Sequence, residues 1–277
     1  MDVRLDLENS SPKVAALLSS SQEAAMKIKA LILCLAAFAL NANLAQAKSL
    51  LIYEGLAKNS EGELVYKEIH NAVFNKDGKI VSSETKYYGP DKKSIGHLKS
   101  DFRDNLTTPS YLFKNFQKGE ENGLTQNKDS WTLFRTERDK EKETKVIKSD
   151  FDKDAMIVGC QGLHYYLKTN IRNIDLKKLD KEVKFLIPGS LDYYTFDLKY
   201  VSETEDTVTL KMNVSSIILR IFAPSLDMVY DKKTGNLLRY EGFSNITDKD
   251  GDIQNVTITY NYPAASSKGK IQSAAKN

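Results

Sequence analysis

Alternating apolar and polar positions dominate the chain and predict β-strands. Three runs of seven residues alternate with a period of two, so each run has one apolar and one polar face. These runs are Tyr194–Tyr200, Val208–Val214 and Val256–Tyr262. Because β-branched and aromatic residues fill the apolar positions, we predict strands that bury one face in a core and expose the other.

Turn sequences separate further runs of this kind. The runs are Leu50–Leu56, Leu64–Phe74, Ile80–Tyr88 and Ile95–Phe102. The turns are Asn59–Gly62, Lys76–Lys79, Gly89–Asp91, Lys232–Asn236 and Asp248–Asp252. Asp-Gly between alternating runs is a strong signal of a β-hairpin. We therefore predict a mainly β fold: an antiparallel meander, without βαβ units, that forms a strongly curved sheet or a partial barrel.

One segment has helical rather than strand spacing. Apolar residues recur every three or four positions between Gly162 and Asp175, which predicts one helix near 161–173 that covers the sheet. A second run, Ile217–Phe222, is apolar throughout and stops before Pro224. Periodicity leaves three interpretations of that run open: a short helix, a fully buried strand or an exposed lip.

The N-terminal region has the pattern of a Sec signal peptide. Lys27 and Lys29 precede the apolar stretch Ala30–Leu40, and Ala45–Ala47 supplies a small-x-small cleavage site. We expect cleavage between Ala47 and Lys48, followed by export to the periplasm. The apolar stretch is too short to span a bilayer comfortably, so no transmembrane segment is expected after cleavage.

This interpretation divides the chain into four parts. Met26 stands where a signal peptide would start, so residues 1–25 are interpreted as a mis-assigned extension and 26–47 as the signal peptide. Residues 48–263 are predicted to form one β-rich domain, which is long enough to bury a sizeable core without disulfides. Residues 264–277 are small and polar, which predicts a disordered tail.

Composition disfavours several classes of function. The chain has 40 Lys and Arg against 37 Asp and Glu, and a net charge of +3 argues against a nucleic-acid binder with a strongly basic surface. Two cysteines cannot build a disulfide framework, and three dispersed histidines leave little for a metal site. No phosphate-binding glycine loop or Gly-x-Ser-x-Gly motif is present. We expect no metal, no cofactor and no nucleic-acid partner.

Glu68 and His70 are one candidate for chemistry. They lie two residues apart in a predicted strand, so they share a face and could do acid–base work. The apolar Val65, Ile69 and Val73 occupy the other face, which predicts that Glu68 and His70 face solvent.

Cys160 and His164 are a second candidate. They lie four residues apart at the start of the predicted helix, where an imidazole and a helix N-terminus could favour a thiolate. No third residue that would orient them is evident, and a buried, small apolar role suits Cys160 better. His97 has no evident partner, and Asp248–Asp252 fails the EF-hand spacing. No catalytic residue is therefore assigned.

Charge density and apolar content complete the pattern. Arg135–Lys148 contains many charged residues of both signs, which predicts a solvated hairpin end whose edge strands are protected by charge.

Curved antiparallel sheets with a covering helix can enclose an apolar cavity. The predicted cavity residues are Leu163, Tyr166, Leu167, Tyr194, Phe196, Leu198, Ile217, Ile218 and Phe222.

Five segments together resemble a group of uncharacterised exported proteins of Gram-negative proteobacteria. They are Tyr66–His70, Lys86–Pro90, Ile95–Phe102, Leu238–Ile246 and Ile258–Pro263. The resemblance covers most of residues 50–263 and consists of strand and turn patterns. It implies a β-rich periplasmic domain and no established activity. Around Gly159–Gln161 the chain departs from the acidic stretch of that group, which argues against a shared role for Cys160.

Three functions are compatible with these features. The first is a periplasmic protein that binds or carries an apolar ligand, such as a lipid or an acyl chain. The second is an envelope interaction or structural protein that has a protein partner and no small ligand. A hydrolase that uses Cys160 with His164, or Glu68 with His70, is the least favoured because the usual motifs are missing.

Overall fold

A computed structural model describes residues 47–152, 155–216, 225–248 and 251–263. The chain divides into two compact units, Met1–Lys48 and Ser49–Asn277, and the description below concerns the second. The predicted N-terminal extension and signal peptide lie outside the described residues, apart from Ala47, which begins the first strand. The apolar run Ile217–Phe222 and the predicted tail 264–277 lie outside them as well.

The described residues form fifteen strands, one α-helix and two 3-10 turns. The strands are β1 (Ala47–Lys58), β2 (Leu64–Asn75), β3 (Ile80–Tyr88), β4 (Ser94–Asp101), β5 (Ser110–Asn115), β6 (Glu120–Gln126), β7 (Ser130–Thr136), β8 (Glu143–Lys148), β9 (Met156–Gly159), β10 (Asp180–Ile187), β11 (Asp192–Glu203), β12 (Thr207–Val214), β13 (Leu226–Asp231), β14 (Leu237–Thr247) and β15 (Ile253–Asn261). The helix is α1 (Gly162–Asn170), and the 3-10 turns are Leu176–Lys178 and Pro188–Ser190.

All fifteen strands belong to one sheet with two arms that meet at β1 and β15. One arm runs from β1 to β8 in chain order, and the other runs from β15 back to β9. The hairpin prediction is confirmed, because neighbouring strands are antiparallel along both meanders. The exception is β10, which pairs with β9 in parallel. The segment β9–α1–β10 is thus a βαβ unit, and the prediction that none would occur is wrong.

The short link between the two edge strands requires the sheet to curve. Lys148 ends β8 at one edge and Met156 begins β9 at the other. A fully extended chain from Lys148 to Met156 would span at most about 29 Å. In a flat sheet, strand spacings of about 4.8 Å would separate these edges by about 67 Å. The prediction of a mainly β fold with a strongly curved sheet and one helix is therefore confirmed, and the sheet is not closed at its edges.

The concave face of the curved sheet holds the core. Leu124 and Leu133, on β6 and β7, pack in one cluster with Leu186 of β10, so the two arms face each other. An ion pair between Lys145 of β8 and Asp192 of β11 joins the same arms, with 2.8 Å from Nζ to the carboxylate. As predicted for the charged segment, β8 is an edge strand whose side chains are mostly exposed.

Helix α1 packs against both arms on the concave side. Leu167 is fully buried in the cluster formed with β10 to β13. Tyr165 packs on the other arm, with ring centroids 4.9 Å from Phe102 and 6.4 Å from Phe74. The helix ends at Asn170 rather than near 173, and the Asn170 side chain donates a hydrogen bond back to the carbonyl of Tyr166.

Gly162 places the start of α1 against the connection that follows β4, which makes it a test of this packing. A Cβ at Gly162 would lie 1.8 Å from the carbonyl oxygen of Thr107, whereas a Cβ at Gly189 meets nothing within 4 Å. We expect Gly162→Ala to lower the free energy of unfolding by about 1–3 kcal/mol, despite the better helix propensity of alanine. Gly189→Ala should change the free energy of unfolding by no more than about 0.5 kcal/mol. Urea unfolding followed by circular dichroism measures both, and equal values would contradict the packing.

Candidate functional site

A cavity of about 380 Å³ lies between α1 and the concave face of the sheet. Its wall draws on both arms and is mostly aromatic and aliphatic. The apolar part includes Tyr66, Tyr87, Leu98, Tyr111, Phe113, Leu163, Phe185, Leu186, Met212, Leu226, Met228, Tyr230, Leu237, Tyr240, Phe243, Ile258 and Tyr260. Asn245 also lines the cavity and is exposed, so the cavity reaches the surface beside it.

A chain of hydrogen bonds runs from the start of α1 to the cavity. Gln161 Nε2 donates to Thr85 Oγ1 (3.2 Å), and Thr85 Oγ1 lies 3.0 Å from His70 Nδ1. His70 Nε2 lies 2.7 Å from Glu68 Oε2. Strand register places these groups, because Thr85 of β3 lies directly opposite His70 of β2. Glu68 and His70 are 5% and 6% exposed, and both line the cavity.

Gln161 is held by a pair of serines. Ser83 of β3 lies opposite Ser100 of β4, and both hydroxyls donate to Gln161 Oε1, at 2.5 and 3.3 Å. The amide at the start of α1 therefore accepts two hydrogen bonds and donates one, so its orientation is set by the sheet.

Aromatic rings surround the histidine and the carboxylate. Tyr53 stacks on His70 with ring centroids 4.3 Å apart, and Tyr260 meets the same imidazole edge-on at 5.7 Å. Tyr87 lies opposite Glu68 in the strand register. Burial, followed by the Glu68 carboxylate, raises the pKa of Tyr87 and Tyr260 well above the usual value. These phenols are therefore neutral near pH 7.

A small residue on β1 makes room for the carboxylate. A Cβ at Gly55 would lie 2.9 Å from Glu68 Oε2 and 3.0 Å from Tyr260. Gly55 thus lets Glu68 and Tyr260 approach the backbone of β1.

The prediction that Glu68 and His70 face solvent is wrong. Tyr66, Glu68, His70 and Ala72 form the buried face of β2. The apolar residues of the other face, Val65, Ile69 and Val73, are half-buried. The more hydrophobic face of this strand points outward because the curvature of the whole sheet, rather than the strand itself, decides which face is inside. Tyr66 and Ala72, which share a face with Glu68, were the one local signal for this orientation.

Cys160 and His164 both line the cavity, but they do not form an activated pair. Burial raises the pKa of the Cys160 thiol to about 12, so a thiolate is disfavoured, which agrees with the small apolar role preferred for Cys160 over the thiolate alternative. Desolvation lowers the pKa of His164 to about 3. The nearest hydrogen-bonding atom described for the His164 ring is the hydroxyl of Tyr230, at 3.5 Å from Nδ1.

His97 has a partner, although none was evident from the sequence. Its Nε2 lies 2.8 Å from Glu84 Oε1 across the β3–β4 pair, on the half-buried outer face. The described residues therefore include two Glu–His pairs, one inside the curved sheet and one outside it.

The predicted cavity residues are dispersed. Leu163 lines the cavity, and Leu167, Phe196 and Leu198 are buried in the core behind it. Tyr166 packs at the edge of that core, and Tyr194 is 39% exposed. The remaining three predicted residues are Ile217, Ile218 and Phe222, which fall in a range without described structure.

The order Thr85–His70–Glu68 is that of a nucleophile, a base and an orienting acid. Thr85, however, is fully buried and is not part of the cavity wall, and its hydroxyl already accepts a hydrogen bond from Gln161. A substrate in the cavity would contact Glu68 and His70 but not Thr85. Thr85 is therefore not placed to attack a molecule in the cavity.

Two further findings concern metals and membranes. Over the described ranges, no three His, Cys, Asp or Glu side chains come together as a metal ion would require. Within the same ranges, no helix combines the length and the apolar character needed to cross a bilayer.

No protein-family model matches the chain, and neither does any curated protein. Among solved structures it is similar to a porin-like protein from Bacteroides uniformis ATCC 8492. The sequence identity is 8%, the match covers 76% of this chain and 95% of that chain, and the TM-score is 0.24. A TM-score this low carries no argument about fold or function.

The lowered pKa of His164 predicts acid sensitivity. Between pH 6.5 and 3 the unfolded chain binds a proton at His164 that the folded chain does not. The unfolding free energy should therefore fall, as pH falls below 6.5, by about 1.4 kcal/mol per pH unit from this residue alone. His164→Phe removes that contribution. Guanidinium unfolding should be measured at pH 7 and pH 5. The free energy of unfolding should fall less in His164→Phe than in the wild type, and equal falls would contradict the desolvation of His164.

Proposed function

We propose that this chain is an exported periplasmic protein that binds or carries an apolar ligand, such as a lipid or an acyl chain, in the cavity under α1. The observation that carries the proposal is the cavity itself. Protein interiors are close-packed, with few voids larger than a water molecule. A space of about 380 Å³ that is lined by side chains of both arms and opens to the surface beside Asn245 falls instead within the range of small-molecule sites.

The wall chemistry supports an apolar occupant. Aromatic and aliphatic side chains from both arms and from α1 face the cavity and outnumber the polar ones, among which Glu68 and His70 form a hydrogen-bonded pair. Ligand sites commonly combine such an apolar wall with a small polar group that orients the ligand. The signal-peptide pattern in residues 26–47 supports export.

A second candidate is an envelope interaction protein with no small ligand. Leu50 and Ile52 of β1 are large apolar side chains that are 59% and 47% exposed. They alternate with the buried Tyr53 and Ala57, so they lie on the outer face of the sheet, where they could contribute to a protein interface. The ligand proposal ranks first because it accounts for the cavity, which an interface on the convex side leaves unexplained.

Native mass spectrometry tests the proposal. The full chain should be expressed in a Gram-negative host, recovered from the periplasmic fraction and purified without detergent. We expect a product that begins at Lys48 and carries a discrete added mass, which organic extraction removes and identifies as an apolar molecule. A clean unliganded mass, together with failure to bind the neutral apolar dye N-phenyl-1-naphthylamine, would overturn the binding proposal.

Two substitutions on one strand provide matched variants. Met228 of β13 lines the cavity, whereas its neighbour Val229 lies on the opposite, half-buried face. We expect Met228→Trp to fill part of the cavity and to reduce dye affinity by about tenfold or more. Val229→Trp should leave the affinity unchanged.

Folding of both tryptophan variants should be verified by circular dichroism. Met212→Phe is a milder cavity-filling change on β12 for use if Met228→Trp does not fold. Equal dye affinity in the cavity variant and the outer-face variant would place the binding site elsewhere and contradict the proposal.

A further inference from the structure

The described wall of the cavity contains one carboxylate, that of Glu68. Glu68 is buried, lines the cavity and has His70 Nε2 2.7 Å from Oε2. The hydrogen bond with His70 involves one of the two carboxylate oxygens. Because Glu68 lines the cavity, its carboxylate can be approached by a molecule there.

Positive charge is missing around this carboxylate. The described wall of the cavity contains no Lys or Arg. Two titratable groups of the wall are neutral near pH 7, since the Cys160 pKa is raised to about 12 and the His164 pKa is lowered to about 3. An anionic ligand group would thus meet a like charge and no cationic partner.

The hydrogen-bond chain orients the His70 ring towards Glu68. Gln161 Nε2 donates to Thr85 Oγ1, so the Thr85 hydroxyl can donate its own proton to His70 Nδ1. His70 Nε2–H then donates to Glu68. With the hydrogen bonds oriented in this direction, the Glu68 carboxylate accepts one hydrogen bond from His70, and the described cavity wall places no Lys or Arg beside it. A buried carboxylate in that state is strongly stabilised by an incoming cation.

Aromatic rings suited to a cation lie next to the carboxylate. Tyr66 and Tyr87 line the cavity with ring centroids 6.0 Å apart, edge to face, and Tyr260 lines it beside His70. Each of these phenols is close enough to Glu68 to be affected by its charge. Rings of this kind attract an ammonium group by cation–π interaction, most strongly where water is excluded.

We propose that the ligand is an apolar molecule with a positively charged ammonium group, which binds between the Glu68 carboxylate and the surrounding tyrosine rings. This inference rests on the proposed function and specifies its ligand class. The ammonium group could belong to an alkyl amine or to a lipid headgroup. A free fatty acid, which has the same tail and a negative end, is the disfavoured ligand.

Competition between probes of equal tail length tests the charge preference. Decyltrimethylammonium, 1-decanol and decanoate should each displace N-phenyl-1-naphthylamine from the full chain at pH 7, below their micelle concentrations. We expect the cation to bind about tenfold or more tightly than decanoate, with the alcohol between them. Decylphosphocholine distinguishes the sources: affinity equal to that of the cation indicates a lipid headgroup, and much weaker affinity indicates a free amine.

Two Glu→Gln variants separate a binding role from a structural one. Glu68→Gln keeps an acceptor for His70 but removes the charge, and it should abolish the preference for the cation while leaving 1-decanol affinity within about threefold. Glu84→Gln is the matched control, because Glu84 has the same kind of contact with His97 on the outer face. It should keep the preference.

The outcomes distinguish the two proposals. If neither the dye nor any decyl probe binds, the cavity does not take apolar ligands and the proposed function fails. If the dye and 1-decanol bind but the cation binds no better than decanoate, the proposed function stands and the ammonium assignment is overturned. Unchanged preference in Glu68→Gln, with correct folding by circular dichroism, also overturns the assignment.

Discussion

The structure depends on how one face of a fifteen-stranded sheet is removed from water. Because the chain passes from edge strand β8 to edge strand β9 within a few residues, the sheet must bend until its arms face each other. Helix α1 follows immediately and packs between them, with Gly162 against the backbone of Thr107. The bend and the helix together create an interior, and the site is a consequence of that interior.

The cavity results from the same arrangement. The curved sheet and one short helix leave about 380 Å³ of the concave side unfilled by side chains. The helix start also brings polar groups inside, because Gln161 links the serine pair of β3 and β4 to Thr85 and, through His70, to Glu68. Buried polar groups are stable when each is hydrogen-bonded. In this series of hydrogen bonds, the side chains of Gln161, Thr85 and His70 each contact the next, and the series ends at the Glu68 carboxylate. The packing of α1 against the curved sheet therefore produces both the apolar wall and the polar groups of the site.

Local patterns in the sequence predict the elements of this fold but not their inward and outward faces. The alternating runs and turns predict most strands near the centre of the sheet, and the apolar spacing after Gly162 predicts α1. In β2, both faces contain substantial side chains, so alternation alone cannot tell that Glu68 points inward. The parallel pairing of β9 with β10 depends on contacts far apart in sequence, and β9 is too short to show a period of its own.

The candidate site was predictable only in outline. A cavity between the helix and a concave sheet follows from the strand pattern, and Leu163 lies on its wall. The polar residues of the site depend on register: Thr85 opposite His70, Tyr87 opposite Glu68, and Ser83 opposite Ser100. No local signal in a single sequence specifies these pairings, because each joins two strands whose order in space is set by the whole meander.

A crystal structure of the full chain with decyltrimethylammonium tests the central claim most directly. The account predicts that the decyl tail lies between α1 and the concave face, with the ammonium group within about 4–6 Å of the Glu68 carboxylate. It would be contradicted by a concave interior filled with side chains, or by a probe bound only on the convex side of the sheet.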